Sequence, residues 1–340
     1  MKILYSIQGT GNGHLSRAIS IYPYLKEFGT IDFLISGSNY SLDTPFEIKY
    51  KLPGVSFQYN SKGGIDYLNT IRQIDLKSWC KEINQSPVEE YDVVFNDFEP
   101  ISARACLNKK VPCIALSHQA SFLSPKTPIP PIAKDHLASA ILRKFAPAHD
   151  KIGFHFQSYD SFIHTPVIKD DIRTCTVSEE DHITVYLPSF GLFYLRNLLS
   201  SIPNYKFEVF HSEIEEEIEY KNIKFKSISR AEFNKSLASS NGVIANAGFE
   251  IPSEAFYLGK PMLLIPITRQ YEQACNAYAA SKLGAQVIYK PNNQLKEQII
   301  DKLLEFKPVK LDFPAHYHQF ITEAFSKADQ VRSKLKLKTY

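Results

Sequence analysis

The chain has 340 residues, with 39 Lys and Arg against 36 Asp and Glu, a formal net charge of +3, 44% hydrophobic residues and 22% charged ones. This is an ordinary globular composition, which excludes a disordered or fibrous chain, and the length exceeds what one hydrophobic core usually serves, so two domains are expected. With so small a net charge, no stretch basic enough to track phosphates and no zinc-finger spacing, nucleic acid is not an expected partner.

Five cysteines, Cys80, Cys106, Cys113, Cys175 and Cys275, form no C-x-x-C pair and suggest reduced thiols. The first strand-like run begins at Ile3 without a basic leader, and no apolar run approaches the ~18 residues of a spanning helix. A cytoplasmic protein is expected.

The chain opens with "KILYSI", a β-branched run that meets the cluster "GTGNG" and passes into a helix-like stretch, so it reads strand, tight turn, helix. A dinucleotide site in such a turn needs G-x-G-x-x-G and an acidic residue at the end of the second strand. Here Gly9, Gly11 and Gly13 give G-x-G-x-G, His14 stands where the third glycine belongs, and Asp32 begins the second strand, "IDFLIS", rather than ending it. The dinucleotide reading fails on both parts. What remains is a glycine turn that presents His14 at a helix start above the carboxyl ends of the strands, where such sheets bind ligands. Simple capping of the helix is the alternative role for His14.

Further strand-like runs follow in "VSFQYN", "YDVVFND", "VPCIALS" and "KIGFHF", and their alternation with helix-like stretches argues for a parallel sheet covered by helices. "VVFNDFEP" closes one strand with Asp97 and Glu99. Since the ends of neighbouring parallel strands lie close, Asp97 is the expected partner of the second ring nitrogen of His14, with Glu99 in reserve and capping as the other role for Asp97. His118, in "ALSHQASF", either lines an acceptor pocket or is a satisfied structural histidine. The proline-rich "FLSPKTPIPPIAKDHLASAILRKFA" leads into a helix pattern carrying Leu137, Ile141 and Leu142. An ordinary packed helix, a flap over a cleft and a peripheral contact with the inner face of a membrane are all consistent with it.

A polar stretch, "KDDIRTCTVSEEDH", then separates two blocks, giving an expected first domain over 1–170, a linker over 171–182 and a second domain over 183–316. The pattern restarts with "ITVYLPSFGLFYLRNLLSSI" and continues through "KFEVFH", "IKFKSI", "GVIANAG", "PMLLIP" and "AQVIYK". "SEIEEEIEY" and "SKLKLKTY" read as a solvated face and a solvated tail. The last segment, 317–340, is helical in pattern and is expected to return to the first block. Two α/β blocks in tandem put a ligand in the cleft between them.

The segment 241–284 is the most specific. It reads as a buried strand, a turn at Gly248, a helix with Pro252 in its first turn and Glu254 within it, a "GKP" turn, another buried strand, and a helix opened by Glu272 and Gln273. Helix N-termini facing a cleft offer N–H groups to a diphosphate, and carboxylates accept hydrogen bonds from sugar hydroxyls. The layout of a small turn, E-A-x-x-x-G-x-P, a strand ending in Pro, and an acidic residue with Gln resembles the donor-binding segment of inverting GT-B glycosyltransferases, a group that includes the bacterial lipid II N-acetylglucosaminyltransferase.

This resemblance implies a GT-B fold, two Rossmann-like parallel-sheet domains facing a central cleft, and metal-independent transfer of a sugar from a nucleotide sugar, a UDP-sugar first, to an acceptor hydroxyl of a glycan, lipid or small molecule with inversion. No cofactor is implied. Glu254 would hold the ribose hydroxyls, Glu272 with Gln273 the donor sugar, and the backbone of 227–230, with Arg230, the base. Ser189 and Gly191 match the small-residue turn that approaches the diphosphate, together with Asn246 and Gly248 ahead of the helix. His14 falls where many members keep a general base, with Gly11 and Gly13 making room for the acceptor. The chain departs from the pattern at Asn246 and Ile251, where many members have a His and a small hydroxyl residue, and at Glu250, a carboxylate where the diphosphate should meet the helix, with Arg230 the expected screening cation. The absence of a D-x-D and of clustered histidines fits the metal-free reading. A sugar-nucleotide epimerase of the same architecture and a nucleotide-sugar binding protein without catalysis are the competing classes.

Overall fold

The structure, a computed structural model, describes residues 1–38, 40, 42–54, 76–131 and 136–337. Its first part runs β1 (Lys2–Gln8), α1 (Asn12–Leu25), β2 (Thr30–Ser36), β3 (Ile48–Leu52), α2 (Leu76–Gln85), β4 (Val93–Asp97), α3 (Pro100–Lys109), β5 (Cys113–Ser117), α4 (His136–Lys144), β6 (Asp150–Phe154), β7 (Ile163–His164) and α5 (Asp170–Thr174). The second runs β8 (Ile183–Tyr186), α6 (Leu192–Ser200), β9 (Phe207–Phe210), β10 (Ile218–Tyr220), β11 (Ile223–Lys226), α7 (Arg230–Ser239), β12 (Gly242–Ala245), α8 (Glu250–Leu258), β13 (Met262–Leu264), α9 (Tyr271–Lys282), β14 (Gln286–Val287) and α10 (Leu295–Leu304), and the chain ends in α11 (Tyr317–Leu337).

Strands β1, β4 and β5 are apolar and almost wholly buried, as strands covered on both faces by helices must be. Among the described residues the first sheet has the order β3-β2-β1-β4-β5-β6-β7 and the second β10-β11-β9-β8-β12-β13-β14. All pairings are parallel except that of β10 with β11. In each sheet the chain order reverses beside the first strand, β1 and β8, and such switch points open a crevice at the carboxyl ends. The two crevices face each other. The strand expected at "VSFQYN" and the side chains of Leu137 and Ile141 lie outside the described residues.

Helix α11 lies against the first block: Tyr317 stacks on Tyr24 of α1 at 4.1 Å, Phe325 on Phe28 just after α1 at 4.9 Å, and Phe320 stands edge-on to Phe154 of β6 at 5.1 Å. Beneath the cleft, Phe156 meets Phe249 and Phe256 of the second block at 5.4 and 5.5 Å, so one apolar cluster joins the two parts. The proline-rich segment also crosses over: Phe122, Ile129 and Leu142 pack with Tyr271 and Cys275 of α9.

Because Phe320 is fully buried between α11 and the first sheet, Phe320→Ala should leave a cavity and cost about 3 to 5 kcal/mol. Urea unfolding with hydrogen exchange on α11 measures this, and an unchanged midpoint would contradict the docking of the helix.

Candidate functional site

The first crevice is shaped by backbone contact. A Cβ on Gly9 would stand 2.8 Å from the Gly37 carbonyl oxygen, so the turns after β1 and β2 touch backbone to backbone. Gly11, at the N-cap of α1, has φ 129°, which only glycine adopts without strain. This turn starts the helix so that His14 lies in its first turn, and Arg17, three residues on, shares its face. Ile7 of β1 pairs with Asp97, the last residue of β4, which brings the carboxylate under that face.

Asp97 is completely buried and accepts three contacts: from His14 Nδ1 at 2.8 Å, and from Arg17 Nε and Nη2, both at 2.9 Å. A carboxylate can only accept, so Nδ1 carries a proton and the neutral ring has its lone pair on Nε2. The 3.2 Å approach of Arg17 Nη2 to Nδ1 is then a contact between two donors. Burial works to raise the Asp97 carboxyl, but Arg17 and His14 overcome it and hold it below the ordinary carboxylate range. Burial likewise disfavours the Arg17 cation, and Asp97 with Glu250 more than reverses this. After Asp97 the backbone turns through Phe98 at φ 61°, a strained conformation for a bulky residue, which lays the Phe98 ring parallel to His14 at 6.3 Å. Glu99, the reserve partner for His14, instead caps α3 by accepting from the Ile101 and Ser102 amides at 2.8 and 2.7 Å.

Arg17 also reaches across the cleft, donating from Nη1 to Glu250 Oε1 at 2.6 Å. Glu250 opens α8, and its carboxyl is pushed up to about 7 by burial, with Arg17 opposing and Glu254 reinforcing the shift. One turn further, Glu254 is 2% exposed; Oε1 pairs with Lys169 at 2.8 Å, and Oε2 has no hydrogen-bond partner among the described residues. Burial raises this carboxyl too, with Lys169 opposing.

A cavity of about 250 Å³ lies between the switch points. Asn12, Gly13 and Ser16 line it from the first block; Tyr186, Asn246, Gly248, Glu250, Glu254 and Gln273 face them from the second. The structure therefore brings Gly13, Arg230, Asn246, Gly248, Glu254 and Gln273 to one cavity, whereas His14, next to Gly13 in the chain and bonded to Asp97, is not among its lining residues. Other anticipated residues stand elsewhere. Ser189 is held through its amide by Asn246 Oδ1 at 3.3 Å, and Gly191 caps α6; neither lines the cavity. Gln273 uses its side-chain oxygen on the Ile267 amide at 2.9 Å, whereas Glu272 turns to Gln119 of the first block at 3.1 Å, because adjacent positions at a helix start face different ways. His118 is 1% exposed, donates from Nδ1 to the Phe154 carbonyl at 2.8 Å, meets Asn276 through Nε2 at 2.8 Å and stacks on Phe249 at 3.8 Å. It pins the two blocks together instead of lining a pocket. Arg230 does not screen Glu250: its guanidinium pairs with Asp171 at 2.9 and 2.6 Å, and the cation at Glu250 is Arg17.

Arg17 and Lys169 were not anticipated from sequence. The H-x-x-R spacing on α1 was the available signal for Arg17, since it puts both side chains on one helix face; Lys169 sits at the head of a polar stretch and carries no such signal.

Arg17→Met should strip a buried carboxylate of its cation and cost about 3 to 5 kcal/mol, and adding Asp97→Asn should recover part of the loss. The folded-state pKa of Asp97 is depressed, so the stability it contributes is present above the ordinary carboxylate range and is lost as pH falls through the lower, folded value. Thermal melts of the wild type and both variants at neutral and acid pH measure this; equal melting of all three would contradict the network.

Residues 1–308 match a family model described as glycosyl transferase family 1. Among curated proteins no significant match is found. Solved structures share the fold at low identity. The glycotransferase of kitacinnamycin is 13% identical over 99% of this chain and 98% of that one, with a TM-score of 0.56. UGT89C1 of Arabidopsis thaliana, complexed with quercetin, is 10% identical over 98% and 99%, with a TM-score of 0.58. LpCGTa, in complex with UDP, is 14% identical over 98% of each chain, with a TM-score of 0.54.

Proposed function

The chain belongs to glycosyl transferase family 1, and on that premise we propose that this glycosyltransferase takes its sugar from a nucleoside-diphosphate sugar, a UDP-sugar first, held in the cavity between the two sheets. The observation that carries the reading is the pairing of opposites across that cavity. On one side Gly13 lines it, next in the chain to a histidine whose Nδ1 is held by a buried carboxylate, and on the other stands Glu254, a buried carboxylate with one oxygen unpaired among the described residues. UDP in LpCGTa and quercetin in UGT89C1 lend the same fold a nucleotide and a hydroxylated small molecule.

In the proposed reaction Nε2 of His14 takes the proton of an acceptor hydroxyl while that oxygen attacks the anomeric carbon. The bond from the anomeric carbon to the diphosphate oxygen breaks on the opposite face, so the configuration inverts. Asp97 stabilises the imidazolium that forms. The N-terminus of α8, which has no side-chain cap, receives the negative charge growing on the leaving diphosphate. Glu254 accepts from the ribose hydroxyls through its free oxygen. The step as written needs no metal ion and no cofactor. The acceptor, whether glycan, lipid or small molecule, enters from the His14 side.

His14→Ala should lower kcat by roughly 10² to 10⁴ with donor affinity nearly unchanged, and Asp97→Asn should give a smaller loss of the same kind. Glu254→Ala should weaken UDP binding while leaving the base in place. Donor hydrolysis assays with calorimetric UDP titration separate these effects. Full activity in a folded His14→Ala, or unchanged UDP affinity in Glu254→Ala, would remove that residue from its role.

A further inference from the structure

Glu250 stands where an incoming phosphate would meet the helix. It is the first residue of α8, it lines the cavity together with Gly13, and its Cγ lies 3.5 Å from where a Cβ on Gly13 would be, so its side chain stands in the cavity against the glycine turn. The amides of this helix start receive no side-chain cap, and the anion beside them is Glu250 itself. A turn away, the nearly buried Glu254, which lines the same cavity, keeps an oxygen without a partner among the described residues.

The charged groups around Glu250 do not balance. Arg17 faces it from α1, Asp97, which also holds His14, from β4, Lys169 from the segment before α5 and Glu254 from its own helix, and the buried Tyr5 hydroxyl on β1 is also within electrostatic reach. Arg230 and Asp171 satisfy each other. Among the described residues two cations, Arg17 and Lys169, therefore serve three carboxylates, Asp97, Glu250 and Glu254. Asp97 has the bidentate contact with Arg17 and no exposure, whereas Glu250 has one contact and a side chain 15% exposed. Of the two carboxylates on Arg17, Glu250 is the one able to yield. A diphosphate placed beside it would add two negative charges to a site already one in excess.

We propose, resting on the donor reading above, that Glu250 is a proton-linked gate to the donor cavity: a nucleoside-diphosphate sugar enters with uptake of one proton from solvent onto Glu250, whose neutral side chain gives up its ion pair with Arg17. The freed Nη1 of Arg17 then faces the diphosphate. The proton returns to solvent when the nucleotide leaves. Discrimination follows from the same geometry, since a neutral ligand such as a nucleoside needs no proton to enter.

Calorimetric titration of the full chain with UDP-glucose, whose diphosphate keeps its charge over the range used, tests the gate in buffers of different ionisation enthalpy. A carboxyl titrating at about 7 predicts an affinity that falls about tenfold between about pH 6 and pH 8, with about half a proton taken up at neutral pH. Glu250→Gln should abolish the uptake and flatten the pH dependence, and uridine should show neither in the wild type. Binding of UDP-glucose to the wild type with a flat affinity, or uptake that persists in Glu250→Gln, overturns the gate and leaves the donor reading standing. Failure of both UDP-glucose and dTDP-glucose to bind wild type and Glu250→Gln at any pH in the range, with both folded by circular dichroism, overturns the donor reading and the gate together.

Discussion

A carboxylate with no access to water must find its whole solvation in the protein, and Asp97 sets the terms for everything around the cleft. Its two oxygens take one hydrogen bond from His14 and a fork from Arg17. The first fixes which imidazole nitrogen holds the proton. The second holds a guanidinium, itself nearly inaccessible, whose remaining arm extends to Glu250 on the other sheet. Orientation of the ring and the Arg17 link to Glu250 are thus two consequences of one buried charge. Removing that charge would release both.

The cleft is closed by different physics on its two sides. Toward the cavity the link is ionic, through Arg17 with Glu250 and Lys169 with Glu254, and it runs between groups that a charged ligand can perturb. Beside and beneath the cavity the link is mostly aromatic, with one polar contact from Gln119 to Glu272: His118 stacks on Phe249, Phe156 meets Phe249 and Phe256, and Phe122 packs with Tyr271 and Cys275. Apolar contacts of this kind do not respond to ligand charge. The proposed gate, Glu250, belongs to the ionic side.

Much of the fold was legible because central parallel strands are uninterrupted apolar runs, and the glycine turns after β1 and β8 marked where each of the two blocks begins, whereas the strand order is seen only in the structure. Three edge strands were not read, one of them, β7, only two residues long. β3, "IKYKL", alternates partly buried and exposed positions with lysines facing out, and β10 lies inside the acidic run, exposed at all three residues and paired antiparallel to β11. Charged edges are what protect sheets from pairing with other chains, and in sequence they look like loops. At the site, the proximity of His14 and Asp97 was readable from strand adjacency alone. The cation on Glu250 was not, because Arg17 comes from the other block, and no local pattern reports a contact between residues 233 apart in the chain. Glu272 and Gln273 were read as one unit, but side chains at neighbouring helix positions diverge, and only Gln273 turns to the cavity.

The central claim, that the buried Asp97 dictates the state of the ring above it, can be read directly from the imidazole nitrogens. A ¹⁵N-imidazole spectrum at mildly alkaline pH, with the His14 signals assigned by their loss in His14→Gln, should show Nδ1 protonated and hydrogen-bonded and Nε2 bare. A neutral His14 with its proton on Nε2 would contradict the account, since that ring would present a lone pair to a carboxylate and have none left to accept a proton.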